Sequence, residues 1–483
     1  MRATRPNDET VRPAYAPLAT LHRFLGERGG PLLTTGHWGL EREVLRTTAD
    51  GQPATTPHPF PNEEKQISVD FAESQAELIT QPHPDTASAL AELMHLQRRL
   101  QQTIGNELLW PLSLPGRWDA PERVRAASFE GRPEWEAQRA YRQKLEQRHG
   151  KARQVICGIH TNFSFTPEFI ACWRTAMPSP EPEKATRDSI YFSVMRNFVR
   201  HQYILNALAG VSPPGDDAFW RDLLRYTRPE LQDDAARCRQ YISSVRLSPL
   251  GYALAPDVER RIGVSFESLA EYRAKISEAI EPRSASVAPL LAHEREFYSP
   301  VRPKPVSLGA VTHGGPSSLR GERFALLDAL DRDGVGYLEF RVFDLDPFEP
   351  LGIGPDALRF FHVLLLACLF LPSPLLSIAE RERIAMRNRW STLCGSSLCD
   401  ETCRPGPEEC EPAQAFFEAM TEIAAHLPPS YREAVANRRE QWEGRHPRPI
   451  DRLRETLAAN RESQLERGIA LAHQHRAYRA HES

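Results

Sequence analysis

The sequence is poor in several features that would each point to a function. It has no long uninterrupted apolar run. The longest, around residues 358–372, is broken by Arg359 and His362. It is too short to span a bilayer and reads as a buried helix, so no membrane partner is expected. There is no excess of charge of one sign: 60 Lys and Arg against 64 Asp and Glu leave a formal charge of -4. That balance leaves no electrostatic footprint for nucleic acid or an anionic lipid surface. Residues 1–17 are polar and lack the apolar stretch of a secretory signal, so a cytoplasmic location is expected.

Cysteine is sparse, and its spacing lacks the C-x-x-C pairs of common zinc sites. Cys157, Cys172, Cys238 and Cys368 are scattered and read as small core or surface residues. Cys394, Cys399, Cys403 and Cys410 cluster and read as a surface loop with reduced thiols; a disulfide or a structural zinc are the alternatives. The phosphate loops G-x-x-x-x-G-K-[ST] and G-x-G-x-x-G are also missing. Gly352-Ile353-Gly354, with Ala357 after it, is a chance-level partial match, and His313-Gly314-Gly315 reads as a loop. Any ATP site must be of another type. No Ser-His-Asp or Cys-His arrangement is recognisable either.

What the chain does have is a recurring pattern of polar residues two apart between apolar ones. Leu40-Glu41-Arg42-Glu43-Val44, Ser68-Val69-Asp70-Phe71, Ile159-His160-Thr161-Asn162-Phe163, Val245-Arg246-Leu247-Ser248 and Leu338-Glu339-Phe340-Arg341-Val342 all carry it, and Glu77 follows Asp70 closely. A strand sends residues i and i+2 to one face. As strands of one sheet, these segments would gather several carboxylates, His160, Asn162, Arg246 and Arg341 on one surface. The opposite surface would be Leu, Val, Ile and Phe. Carboxylates so crowded repel unless cations sit among them, and hard oxygen ligands favour magnesium or manganese. Arginines beside such ions suit phosphate and carboxylate groups. Taken singly, Glu41 with Glu43 would be an exposed strand edge, and Glu339 with Arg341 a surface ion pair of little consequence. Their joint appearance favours a site.

Helices are expected from about 86 to 106 with Thr86 as cap, and over 135–149, 188–209, 229–240 and 266–280. Residues 178–184 and 307–321 read as loops. Beyond Pro355 the pattern is helical almost to the end. The organisation expected is a polar tail, 1–18, and a single catalytic domain, 19–483, whose part from about 355 is helical.

These segments carry a resemblance. Gly39-Leu40-Glu41-Arg42-Glu43, Val69-Asp70-Phe71-Ala72-Glu73 through Glu77-Leu78-Ile79-Thr80, and Trp110-Pro111-Leu112-Ser113 are followed by Gly158-Ile159-His160-Thr161-Asn162-Phe163-Ser164. Ser244-Val245-Arg246-Leu247-Ser248 with Gly251-Tyr252, Tyr298 with Arg302-Pro303-Lys304, and Tyr337-Leu338-Glu339-Phe340-Arg341 with Asp344 and Asp346-Pro347-Phe348 complete the set. In this order they resemble the bacterial glutamate–cysteine ligases, over roughly residues 20 to 390.

The resemblance implies an α+β, glutamine synthetase-like fold, in which an antiparallel funnel-like sheet bears the active site and helices cover it. It implies that ATP phosphorylates the γ-carboxylate of glutamate and that the amine of cysteine, or of another small amino acid, displaces phosphate. Glu41, Glu43, Asp70, Glu77, His160 and Glu339 match magnesium-site residues. Glu339 and Arg341 are the implied catalytic residues, with Arg341 beside the transferred phosphoryl group. Arg246 matches the residue that holds the glutamate α-carboxylate, and Asn162 is an implied substrate contact. Phe71, Tyr141, Leu145, Gln154, Ile156, Tyr252 and Tyr298 match the acceptor pocket. The chain departs from the family at residues 128–139, at Leu247-Ser248-Pro249, at Thr161 and in the cysteine-rich loop. Those departures leave open a γ-glutamyl ligase for another small acceptor, as in natural-product biosynthesis. A non-catalytic relative that binds amino acid and nucleotide is a further alternative, against which the intact metal positions argue.

Overall fold

The computed structural model describes residues 18–61, 63–127, 136–251, 256–284, 286–306, 319–393 and 407–478. Its framework is an antiparallel sheet of β1 (His37–Thr47), β2 (Ile67–Val69), β3 (Gln75–Ile79), β4 (Leu108–Leu109), β5 (Ile159–Ser164), β6 (Val301–Pro305) and β7 (Val335–Phe343). The strands lie in the order β2-β3-β1-β5-β7-β6, and β4 pairs with the end of β1. Period-2 alternation produces the two faces. Trp38, Leu40 and Val44 on β1, Phe163 on β5 and Leu338 and Phe340 on β7 are fully or nearly fully buried. Helices Thr86–Thr103, Glu183–Ala209 and Pro355–Phe370 lie over this side. The rings of Phe361 and Phe198 pack on Phe340 with centroids 5.0 and 4.8 Å away. Helix Glu183–Ala209 is buried nearly all round and shows no apolar stripe.

The apolar face also carries ionic groups: Arg46, buried at the end of β1, pairs with Glu107. Arg42 lies on the same face, buried, and donates to Gln97 and to the carbonyl of Pro350. Burial lowers its pKa to about 10. The expected all-apolar back surface therefore fails at Arg42 and Arg46, and also at the buried Thr161.

Val245–Ser248 is not a strand. Leu247 N–H donates to Ser244 Oγ, while Ser248 donates to the carbonyl of Val245 from both its backbone N–H and its hydroxyl. Serine side chains that bond nearby backbone compete with a ladder, and the segment turns. Asp70 and Phe71 lie just beyond the end of β2. The first expected helix is capped by Asp85, which accepts from Ser88 N–H, and not by Thr86. Helix Glu183–Ala209 begins inside the stretch read as a loop, directly after Pro182. The remaining expected helices appear as Glu136–His149, Pro229–Cys238 and Leu269–Ile280, the last capped by Ser268. Beyond Pro355 the described residues form successive helices. Among the described residues no helix is long and apolar enough to cross a membrane. Cys157, Cys172, Cys238 and Cys368 are free thiols; Cys394, Cys399 and Cys403 lie outside the described residues, as does most of the 307–321 loop. Cys410 stands in helix Pro407–Ala424 rather than in the expected loop.

Candidate active site

Antiparallel register sets the site out in cross-strand rungs. Glu43 on β1 faces Glu77 on β3, which faces Ser68 on β2. Glu41 faces His160 on β5. Gly39 faces Asn162, Asn162 faces Glu339 on β7, and Glu339 faces Arg302 on β6. Residues directly opposite share a face, so these side chains stand on the surface away from the helices. That surface walls a cavity of about 1720 Å³. Single small-molecule pockets are commonly about 300–1,000 Å³, so this one has room for more than one substrate.

The polar atoms are tightly interlocked. Asn162 Nδ2 donates to Glu41 Oε1 at 2.7 Å, and His160 Nδ1 is 3.2 Å from Glu41 Oε2. His160 Nε2 lies 3.4 Å from Glu43 Oε1, and Gly158 N–H donates to Glu43 Oε2 at 2.9 Å. Ser68 Oγ donates to Glu77 at 2.9 Å. Glu339 is bracketed by Arg341 Nη2 on Oε1 and Lys304 Nζ on Oε2, both at 3.1 Å. Arg142 on helix Glu136–His149 donates from Nε to the carbonyl of Asp70 at 2.8 Å.

Burial and like charge then set the protonation. Burial, with Asp70, Glu41 and Glu43 adding to it, pushes Glu77 well above the usual carboxylate range. Glu43 is pushed up to about 8 by burial and by Asp70. Burial also raises Asp70, against the pull of Arg142 and Arg341. Burial opposes ionisation of Glu339, but Arg341 and Lys304 outweigh it and hold that carboxyl well below its usual range. Burial and Arg341 lower His160 to about 4, so it is neutral. The protein's own cations thus satisfy the Glu339 end of the surface and leave the Glu43–Glu77 end short of positive charge. Glu41, Glu77 and His160 each offer a ligand atom, all within 4.8 Å of one another. Asn162 Oδ1 is buried there without a hydrogen-bond partner among the described residues. These donors fit a hard divalent cation.

Arg246 reaches the site from its turn rather than from a strand. Its Nη1 donates to the carbonyls of Arg341 and Phe343 at 3.3 and 3.1 Å, and its Nε has no partner among the described residues. Phe71, Tyr141, Leu145, Gln154 and Tyr298 line the same cavity, and the hydroxyls of Tyr141 and Tyr298 are hydrogen-bonded. Ile156 is fully buried and does not line it. Tyr252 lies outside the described residues. Arg142, Tyr337 and Lys304 also line the cavity but carry no role in the sequence reading. For Lys304 a signal existed, two residues beyond Arg302, but the flanking prolines disguised the strand.

A family model described as glutamate-cysteine ligase matches residues 21–392. The chain is 31% identical over 397 residues to the glutamate–cysteine ligase of Clostridium acetobutylicum, covering 77% of this chain and 79% of that protein. It is 33% identical over 366 residues to that of Pseudomonas aeruginosa, covering 72% and 66%. Among solved structures, a glutamate–cysteine ligase from Francisella tularensis in complex with AMP superposes with a TM-score of 0.74 at 25% identity, covering 93% of this chain and 90% of that one. A bifunctional glutathione synthetase from Pasteurella multocida gives 0.75 at 27% identity, covering 94% and 54%. An antiparallel sheet with helices on one side and a carboxylate-rich wall on the other, together with these likenesses, leads to one assignment: the chain belongs to the glutamate–cysteine ligase family and is a ligase.

Proposed function

We propose that this chain uses ATP to phosphorylate the γ-carboxylate of glutamate and joins the resulting γ-glutamyl phosphate to the amine of cysteine. The observation that carries this reading is the cavity wall on which Glu41, Glu43, Asp70, Glu77 and Glu339 crowd around neutral His160, with Arg341 and Arg246 among them. Glu41, Glu43, Asp70, Glu77, His160 and Glu339 would hold magnesium, or manganese. Bound there, the ions supply positive charge to the transferring phosphoryl group.

The remaining work falls to the chain's own groups. Arg341, pinned by Glu339 at 3.1 Å, stays charged and faces the same cavity, where it can pair with phosphoryl oxygens. Arg246 offers a guanidinium fork to the α-carboxylate of glutamate. Its Nη1 is already fixed by two carbonyls, so the fork is pre-aimed. Phosphoryl transfer depends on positioning and charge neutralisation, so a missing protein nucleophile is compatible with it. Phe71, Tyr141, Leu145, Gln154 and Tyr298, which line the cavity, would form the acceptor cup. The relatives' names support cysteine as the acceptor, and the AMP bound to the Francisella relative supports a nucleotide substrate.

The test is phosphate release with ATP, magnesium and glutamate, with each acceptor's dipeptide read by mass spectrometry. Cysteine should be used. 2-Aminobutyrate should also be used, because shape alone discriminates by roughly 1–3 kcal/mol per methylene. Lysine and aspartate should fail, since the cup does not pair their side chains. A strong preference for a non-thiol acceptor would replace cysteine in the reading. No phosphate release with any acceptor would refute the reading.

A further inference from the structure

Lys304 is a cavity-facing cation that the proposed reaction leaves without a part in substrate binding. Its strand, β6, is the edge of the sheet. An edge is where a strand tolerates proline, and Pro303 and Pro305 flank Lys304 there. Alternation sends Pro303 to the apolar side, opposite Leu338, and sends Arg302 and Lys304 to the cavity side, opposite Glu339 and Tyr337. The Lys304 ammonium lies 3.1 Å from Glu339 Oε2, and its side chain remains 19% exposed. Glu339 itself is only 2% exposed, yet its Oε2 has no aligned hydrogen-bond donor among the described residues. The contact is thus one of charge with charge, made by a long flexible stem that still reaches solvent.

Position along the sheet separates Lys304 from Arg246. Arg246 is anchored at the Phe343 end of β7, and Lys304 pairs across from Tyr337 at the other end. Six residues of extended chain span about 20 Å. Glu339 and Arg341 lie between them. Glutamate held at Arg246 would place the phosphoryl transfer near Arg341 and the rest of the nucleotide toward Lys304.

A divalent cation on Glu339 Oε2 would sit next to the ammonium and repel it, unless a polyanion lay between them. An ammonium with three donors on a mobile stem binds phosphate as a point charge. We propose that Lys304 is a polyphosphate-binding residue that exchanges partners, leaving Glu339 for the β- and γ-phosphate oxygens of the nucleotide as a cation takes Glu339. This inference rests on the ligase reading given above. It predicts opposite effects on metal and nucleotide, which a purely structural role would not produce.

The experiment is calorimetric titration of wild type, Lys304→Met and Lys304→Arg with Mg2+ alone, with Mg2+ and a non-hydrolysable ATP analogue, and with AMP. In Lys304→Met the affinity for Mg2+ alone should rise severalfold, because a competing charge is gone. Its affinity for the analogue with Mg2+ should fall roughly tenfold or more, the loss of a charge-assisted phosphate contact. AMP, without β- and γ-phosphates, should bind both alike, and Lys304→Arg should keep most of the analogue affinity. If Lys304→Met weakens metal and analogue together, or changes neither while wild type binds both, the proposal is overturned and the ligase reading stands. If wild type binds no Mg2+ with or without nucleotide, the cation reading and the proposal fall together.

Discussion

The absence of a side chain at position 158 decides where Arg246 can lie. A methyl group on Gly158 would overlap the Arg246 guanidinium, and the same residue's N–H holds Glu43 Oε2 at 2.9 Å. Gly158 therefore positions a proposed glutamate-binding arginine and a proposed metal ligand together. Its replacement, Gly158→Ala, should move the guanidinium and weaken the bidentate pairing it offers. A charge-assisted hydrogen bond is worth about 1.5–3 kcal/mol, so KM for glutamate should rise roughly tenfold or more. KM for ATP should change much less. Steady-state kinetics with each substrate varied in turn checks this, and equal effects on both would mean that the substitution disturbs the site as a whole.

At the scale of elements, the site is assembled from a rigid sheet and from pieces brought to it. Helix Glu136–His149 is such a piece. It carries Tyr141 and Leu145 into the cavity, and Arg142 ties it to the Asp70 carbonyl at 2.8 Å. Arg142→Met should loosen that tie and misplace the acceptor cup, raising KM for cysteine severalfold while leaving KM for glutamate nearly unchanged. A larger effect on glutamate than on cysteine would contradict this.

The same division explains what was legible in the sequence. Period-2 alternation is a local signal, and it exposed β1, β5 and β7 with Glu41, Glu43, His160, Asn162, Glu339 and Arg341 on one face. The alternation at Val245–Ser248 was equally regular but belongs to a turn, because the neighbouring serines bond the backbone locally. β6 carries Arg302 and Lys304 yet was hidden by Pro303 and Pro305, which its edge position and the register shift at Pro305 accommodate. Alternation itself sends Arg42 to the face opposite Glu41 and Glu43, but the group that accepts from it there, Gln97, stands in a helix far along the chain, which no local pattern contains.

At the scale of the whole molecule, the helical cover under the sheet holds neutral histidines that should make the fold acid-sensitive. His362 on helix Pro355–Phe370 is wholly buried, with its ring 5.2 Å from that of Trp38 and 5.7 Å from that of Tyr431. Neither ring nitrogen has a hydrogen-bond partner among the described residues. Burial alone lowers its pKa to about 3. The unfolded chain takes up a proton near pH 6.5 that the folded chain refuses until about pH 3. Its contribution is therefore intact above pH 6.5 and is lost progressively as pH falls toward 3, by up to about 1.4 kcal/mol per pH unit. In His362→Phe, the slope of unfolding free energy between pH 6 and 4.5 should flatten by about that amount. Urea denaturation across this range measures it, and parallel slopes for wild type and variant would contradict the burial account.

The central claim is that the carboxylate-rich wall supports activation of the γ-carboxylate of glutamate as an acyl phosphate. That chemistry leaves an isotopic record. Glutamate labelled with 18O in its γ-carboxylate is turned over with ATP, magnesium and cysteine, and the released phosphate is analysed by mass spectrometry. Attack of the carboxylate on the phosphoryl group carries one labelled oxygen onto phosphorus, so each phosphate released with a dipeptide should contain a single 18O. Unlabelled phosphate accompanying γ-glutamylcysteine would contradict the mechanism.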